Sequence, residues 1–201
     1  MLGKSFHERG AMNFLGHAFY SLTSPEQLCG NMMGDFVKGD ILKSGLPPLV
    51  QEGVKRHRTI DRVCDSTAAF LEMKKLFSVK VGHYKGVLVD IVLDHFLAIH
   101  FSQFSHIPLE VFALECYEKI EMCRECFTPD FERVFFYMKR DNFFTQNLEL
   151  ENILELLKSI ERRSPKAKGL QSALEEIKLH YREFERLFFQ FIEEMKILDE
   201  E

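Results

Sequence analysis

One apolar stretch narrows the architecture of this chain more than any other feature. Gly86 to Phe101 reads GVLVDIVLDHFLAIHF, and its only ionisable groups are Asp90, Asp94, His95 and His100. Val, Leu, Ile, Phe and Ala occupy nearly every other position, so a helix formed here must be enclosed by other elements. Asp90 and Asp94 are four residues apart and share one helical face. A carboxylate in such surroundings is costly unless a cation or hydrogen-bond donors hold it ionised. Carboxylates beside an imidazole inside a core therefore point to a metal ion and to chemistry.

The remaining patterns are helical. Ser24-Pro25-Glu26 combines a capping residue, a proline at the first helical position and an acid in the first turn, and predicts a helix to about Lys38, ending at Gly39. After Pro47-Pro48 the pattern predicts a long helix over roughly 49–77, then the buried helix from near Gly82. Further helices are expected over 109–124, from Thr128-Pro129-Asp130 to about Arg140, over 147–162 and over 168–197. No run alternates with a period of two. The expected fold is all-α, a single-domain bundle of about seven or eight helices over 12–201. Residues 1–11 read as a disordered extension, because the apolar pattern opens at Met12.

Composition excludes several functions. A net charge of −5 argues against nucleic-acid binding, where a basic surface dominates affinity. No segment is long and apolar enough for membrane insertion, and no signal core opens the chain, so a cytoplasmic location is expected. Five cysteines, an odd count, read as reduced thiols; Cys123-x-x-Cys126 lacks the second pair of a zinc finger. Phosphate-binding, dinucleotide and serine-nucleophile motifs do not occur.

The polar groups that interrupt apolar patterns are the candidates for chemistry. KRHRTIDRVCD places His57, Asp61 and Asp65 at spacings of four, either a ligand stripe or a solvated face with a stabilising His–Asp contact. GNMMGDFVKGD places Asn31 and Asp35 four apart between Gly30 and Gly34, which permit close approach of a neighbouring helix or a ligand. His17 lies in the apolar run NFLGHAF, where a lone histidine is more often a satisfied core residue. Asp94 and His95 diverge by about 100° but can border one cavity; the alternative is an Asp94 salt bridge to Arg58 or Arg62. Together His17, Asp35, His57, Asp61, Asp90, Asp94 and His95 form a mixed imidazole–carboxylate set without thiolate. That set suits Mn²⁺, Fe²⁺, Mg²⁺ or Zn²⁺ and implies hydrolysis by metal-activated water, with phosphate esters as substrates.

MNFLGHAF, GNMMGDFVKGD, HRTIDRVCD and VDIVLDHFLAIHFSQFS, in this order, resemble the acyl-carrier-protein phosphodiesterase family. FTQNLELENILELL and the RRSPK turn extend the resemblance from Met12 to about Met195. The resemblance implies an all-helical fold related to HD-type metal phosphohydrolases. It also implies cleavage of the phosphodiester joining 4′-phosphopantetheine to a serine of acyl carrier protein, with Mn²⁺ or a similar divalent ion (Mg²⁺, Fe²⁺ or Co²⁺). On this expectation Asp35, His57 and Asp94 hold the ion and Asp61 orients His57. His17 or His95 protonates the departing serine oxygen, and Arg58 or Lys38 neutralises the phosphoryl group. Lys55, Arg62 and Lys38 would meet the acidic carrier. The competing expectations are a metal phosphohydrolase of nucleotides or other small phosphoesters, and a carrier-binding module without turnover.

Overall fold

The computed structural model describes residues 14–146 and 148–199, so the expected extension over 1–11 lies outside the described residues. Among the described residues there are eleven α-helices, joined by short 3₁₀ turns, and no strand. The all-α expectation is borne out. None of these helices is long and apolar enough to cross a membrane.

Half of the additional helices come from breaks in expected long ones. The stretch 49–77 divides into α3 (Pro48–Ser66) and α4 (Ala68–Leu76). Thr67 stands between them in an extended conformation, and its hydroxyl accepts from the backbone of Phe70 at 3.2 Å. Glu194 accepts from the amide of Ala69 at 3.1 Å. Two donors that a continuous helix would spend on its preceding turn are thus capped by side chains, and the acid also suits a helix N-terminus. The stretch 168–197 likewise divides at His180 into α10 (Ala173–Leu179) and α11 (Tyr181–Met195). Two short helices, α1 (Phe14–Phe19) and α8 (Phe143–Gln146), complete the difference.

Other boundaries follow local chemistry. α2 (Pro25–Met32) starts where Ser24 accepts from the amide of Gln27 at 3.1 Å. It stops well before Gly39, and the chain tightens into a 3₁₀ turn over Gly34–Phe36. α7 (Pro129–Asp141) is capped by Thr128 and ends at Asn142, whose φ of 47° takes the left-handed conformation that asparagine tolerates. The apolar helix, α5 (Lys85–Ile99), begins three residues after Gly82, whose φ of 54° keeps that residue out of any helix. α6 spans Leu109–Glu121 and α9 Leu150–Arg163.

The helices group into two compact units. The first contains Val63–Ile99 and the described residues from Gln146 onward. In it every residue of α5 from Leu88 to Ala98 is buried. Phe96 meets Phe188 and Tyr181 of α11, and Phe77, which closes α4, meets Phe184. The second unit contains Phe14–Arg62 and His100–Thr145. Its aromatic core joins Phe127, Phe131 and Phe135 around α7 to Phe36, and stacks Tyr117 of α6 on Phe144.

A candidate cation site

The second unit brings α2 and α3 together unusually closely. A methyl group at Gly30 would collide with the carbonyl of Val50, and one at Gly53 with the carbonyl of Gln27. The two glycines therefore let the helix backbones touch, as the small residues of the GNMMGDF segment suggested. Gly34 makes room in the same way, since a methyl there would enter the ring of His57. The imidazole packs against the bare backbone at Gly34, and the carboxylate of the next residue, Asp35, comes within 3.5 Å of its Nε2.

Four polar side chains meet at this crossing. His57 Nε2 lies 3.3 Å from Asp61 Oδ2, one helical turn along α3, and 3.5 Å from Asp35 Oδ1. His17 Nε2, from α1, lies 3.2 Å from Asp61 Oδ1. The two imidazoles are stacked, with ring centres 4.0 Å apart and planes inclined by 13°. His17, His57 and Asp61 form the only group of His, Cys, Asp or Glu side chains among the described residues whose ligand atoms are close enough to share an ion, all within 4.8 Å.

These separations are short, yet the ring nitrogens are not aligned for hydrogen bonding. His17 Nε2 and both nitrogens of His57 are buried without a hydrogen-bond partner. Burial and the neighbouring His57 push the pKa of His17 down, against the pull of Asp61 and Asp35. For His57, burial acts in the same direction, but Asp35 and Asp61 outweigh it and push the pKa up to about 9. Burial would raise the carboxyl of Asp61, but the two histidines hold it well below the usual carboxylate range. Two imidazolium charges about 4 Å apart would repel by roughly 4 kcal/mol at an effective dielectric near 20, so the pair carries one proton more readily than two. Ring nitrogens converging on carboxylates, without proton-sharing geometry, match the needs of a divalent ion with mixed nitrogen and oxygen ligands, which would displace the proton that His57 otherwise holds. The donor set therefore fits a metal. The histidines form a buried floor, while the Asp35 and Asp61 side chains remain 25% and 47% exposed at the rim, where a substrate can reach.

The other sequence candidates fall into place around this cluster or in the first unit. Arg58 is exposed on α3, and its guanidinium donates to the carbonyls of Val37 at 3.1 Å and Gly39 at 3.2 Å, on either side of Lys38. Lys38, Lys55 and Arg62 are exposed. Asp90, Asp94 and His95 are buried on α5 in the first unit, where His95 Nε2 shares a 2.9 Å hydrogen bond with the hydroxyl of Tyr181. All five cysteines are free thiols. Sequence reasoning noticed Asn31 but gave it no role; it is buried and bonded to His17. The available signal was a lone amide in an apolar, glycine-containing segment, four residues before Asp35.

Residues 12–195 match the family model described as acyl carrier protein phosphodiesterase. A relative from Pectobacterium atrosepticum carrying that name is 30% identical over 92% of this chain and 95% of its own length. Relatives of the same name from Photorhabdus laumondii and Escherichia coli O157:H7 are 29% and 28% identical, over 90% and 92% of this chain and 91% and 95% of their own lengths. No solved structure matches the chain.

Proposed function

The chain belongs to the acyl carrier protein phosphodiesterase family, and from that premise we propose that it converts holo-acyl carrier protein to the apo form. The bond broken joins the phosphorus of 4′-phosphopantetheine to the carrier's serine oxygen. Water supplies the new oxygen on phosphorus, and the serine oxygen leaves with a proton.

His17, His57 and Asp61, with Asp35 beside them, would hold a divalent ion, Mn²⁺ in the first instance. Such an ion supplies charge neutralisation at the phosphoryl group and a water of lowered pKa. The observation that carries this reading is the convergence of buried, unpartnered imidazole nitrogens on a half-exposed carboxylate. It favours His17 as a ligand over His17 as a proton donor, because its Nδ1 is already engaged by Asn31. Asp35 keeps a carboxylate oxygen at the rim, where it can accept a proton from water and orient it. Lys38 lies three residues beyond Asp35 on the segment anchored by Arg58, and can neutralise a phosphoryl oxygen. Lys55, Arg58 and Arg62 share an exposed face of α3 and offer a local positive surface to an acidic carrier.

The test is incubation of the purified protein with holo-acyl carrier protein, followed by intact mass. Loss of the phosphopantetheine mass should require a divalent ion. An unchanged carrier with Mn²⁺, Mg²⁺, Fe²⁺ and Co²⁺ in turn, with the enzyme folded, would overturn the assignment.

A further inference from the structure

The side chain of Asn31 is fully buried and spends both ends of its amide on one residue. Its Nδ2 donates to the backbone carbonyl of His17 at 2.8 Å, and its Oδ1 faces His17 Nδ1 at 3.1 Å. The opposite amide orientation would set two oxygens, Oδ1 and the His17 carbonyl, against each other at the 2.8 Å contact. The amide is therefore fixed, and a carbonyl oxygen can only accept. His17 Nδ1 must be the donor.

A neutral imidazole carries one N–H. With the proton on Nδ1, the lone pair of His17 sits on Nε2. That atom is buried, lacks a hydrogen-bond partner and lies 3.2 Å from Asp61 Oδ1, itself an acceptor. Without Asn31 the ring would be free to turn, and a proton on Nε2 could then come into line with Asp61 and reverse the preference. Asn31 and Asp61 thus compete for the tautomer, and Asn31 wins by holding the ring and its backbone carbonyl together. We propose that Asn31 is a positioning residue of the cation site, fixing His17 as the Nδ1–H tautomer so that Nε2 presents a bare lone pair beside Asp61. The consequence for metal affinity rests on the cation reading above; the tautomer does not.

Residues that orient a ligating histidine through its other nitrogen typically contribute about 10- to 100-fold to metal affinity. Asn31→Ala removes both contacts. Asn31→Asp keeps an acceptor for Nδ1–H and nearly the same shape, but sets a second oxygen against the His17 carbonyl, so its rescue is expected to be partial.

Long-range ¹⁵N–¹H correlation spectra of the metal-free protein report which nitrogen of His17 carries the proton. The expected result is Nδ1–H in wild type and in Asn31→Asp, and Nε2–H in Asn31→Ala. Calorimetric titration with Mn²⁺ alone should show a loss of about 10- to 100-fold for Asn31→Ala and a smaller loss for Asn31→Asp. A merely structural asparagine would lower the melting temperature without moving the proton. Nε2–H in wild type, or a folded Asn31→Ala protein that keeps Nδ1–H and wild-type Mn²⁺ affinity, would overturn the proposal. If Asn31→Ala does not fold, the wild-type and Asn31→Asp spectra decide alone: Nε2–H in either one overturns the proposal. If wild type binds no divalent ion, the cation reading fails by itself, and the spectra still decide the role of Asn31.

Discussion

His17 and His95 are both buried histidines in apolar helices, one in each compact unit, and they differ in what their Nε2 atoms meet. His95 shares its Nε2 with the hydroxyl of Tyr181, among the rings of Phe96 and Tyr181. His17 turns an unpartnered Nε2 toward a carboxylate that reaches solvent. Burial of a polar group is therefore a poor marker of function by itself. A buried polar group that the protein leaves unsatisfied next to an opposite charge is a better one.

The sharpest way to break this contrast is to remove one histidine of each kind. His57→Ala should reduce turnover of holo carrier by more than about 100-fold, the upper range for a change that only touches a ligand's support. It should also abolish the metal-induced rise in melting temperature. His95→Gln should keep that rise. It should lower stability by about 1–3 kcal/mol for the imperfectly replaced bond to Tyr181, a melting shift of several degrees in a chain of this size. Loss of the metal-induced rise in His95→Gln, with retention in His57→Ala, would reverse the assignment of the two regions.

Asp94 sharpens the same comparison from the first unit. It is buried on α5, like Asp90. A buried carboxylate held by charged or hydrogen-bonding partners loses about 3–5 kcal/mol when that arrangement is broken. Asp94→Asn should therefore destabilise the metal-free protein by this order, with the metal-induced rise preserved. A variant as stable as wild type that no longer responds to metal would return Asp94 to the ligand set expected from sequence.

The glycines separate fold from site within the second unit. Gly53→Ala forces a methyl into the backbone of α2 and should cost about 3 kcal/mol, because neither helix can yield without parting the crossing. Gly34→Ala meets a side chain instead, the ring of His57. It should cost less stability and more activity, read as a lower kcat with a smaller change in melting temperature. Equal effects of both substitutions on both quantities would show that the ring is not held by this contact.

Much of the fold was legible where one local device decides a boundary. Ser24-Pro25 and Thr128-Pro129 mark the starts of α2 and α7, and the apolar run of α5 announces its own burial. The break at Thr67 was not legible, because half of its capping comes from Glu194, distant in sequence. The site divides in the same way. His57 and Asp61 were linked by helical spacing, and Gly30 was read correctly as a point of close approach. The meeting of His17 with them depends on how α1 and α2 lie against α3, which no spacing encodes. The role of Asn31 follows from the fixed orientation of one amide, visible only once its two contacts are known.

The smallest expected effect concerns the rim rather than the floor of the site. The chain carries a net charge of −5, so an acidic carrier must find a local positive face. Lys55, Arg58 and Arg62 recur at helical spacing on α3, exposed, on the helix that carries His57 and Asp61. Arg58 also anchors the segment that carries Lys38, through the carbonyls of Val37 and Gly39, so the substitutions chosen are those at Lys55 and Arg62. Exposed charges of this kind steer encounter more than they hold a complex, and salt screens them within about 8–10 Å. Lys55→Glu combined with Arg62→Glu should therefore raise KM for the carrier several-fold at low salt, with kcat nearly unchanged and a flatter dependence on ionic strength. The metal-induced rise in melting temperature should stay as in wild type, since neither side chain belongs to the cluster. A KM and salt response equal to those of wild type would place the docking face elsewhere on the molecule and leave the His17–His57–Asp61 reading untouched. A fall in kcat without a change in KM would instead tie these residues to the chemistry.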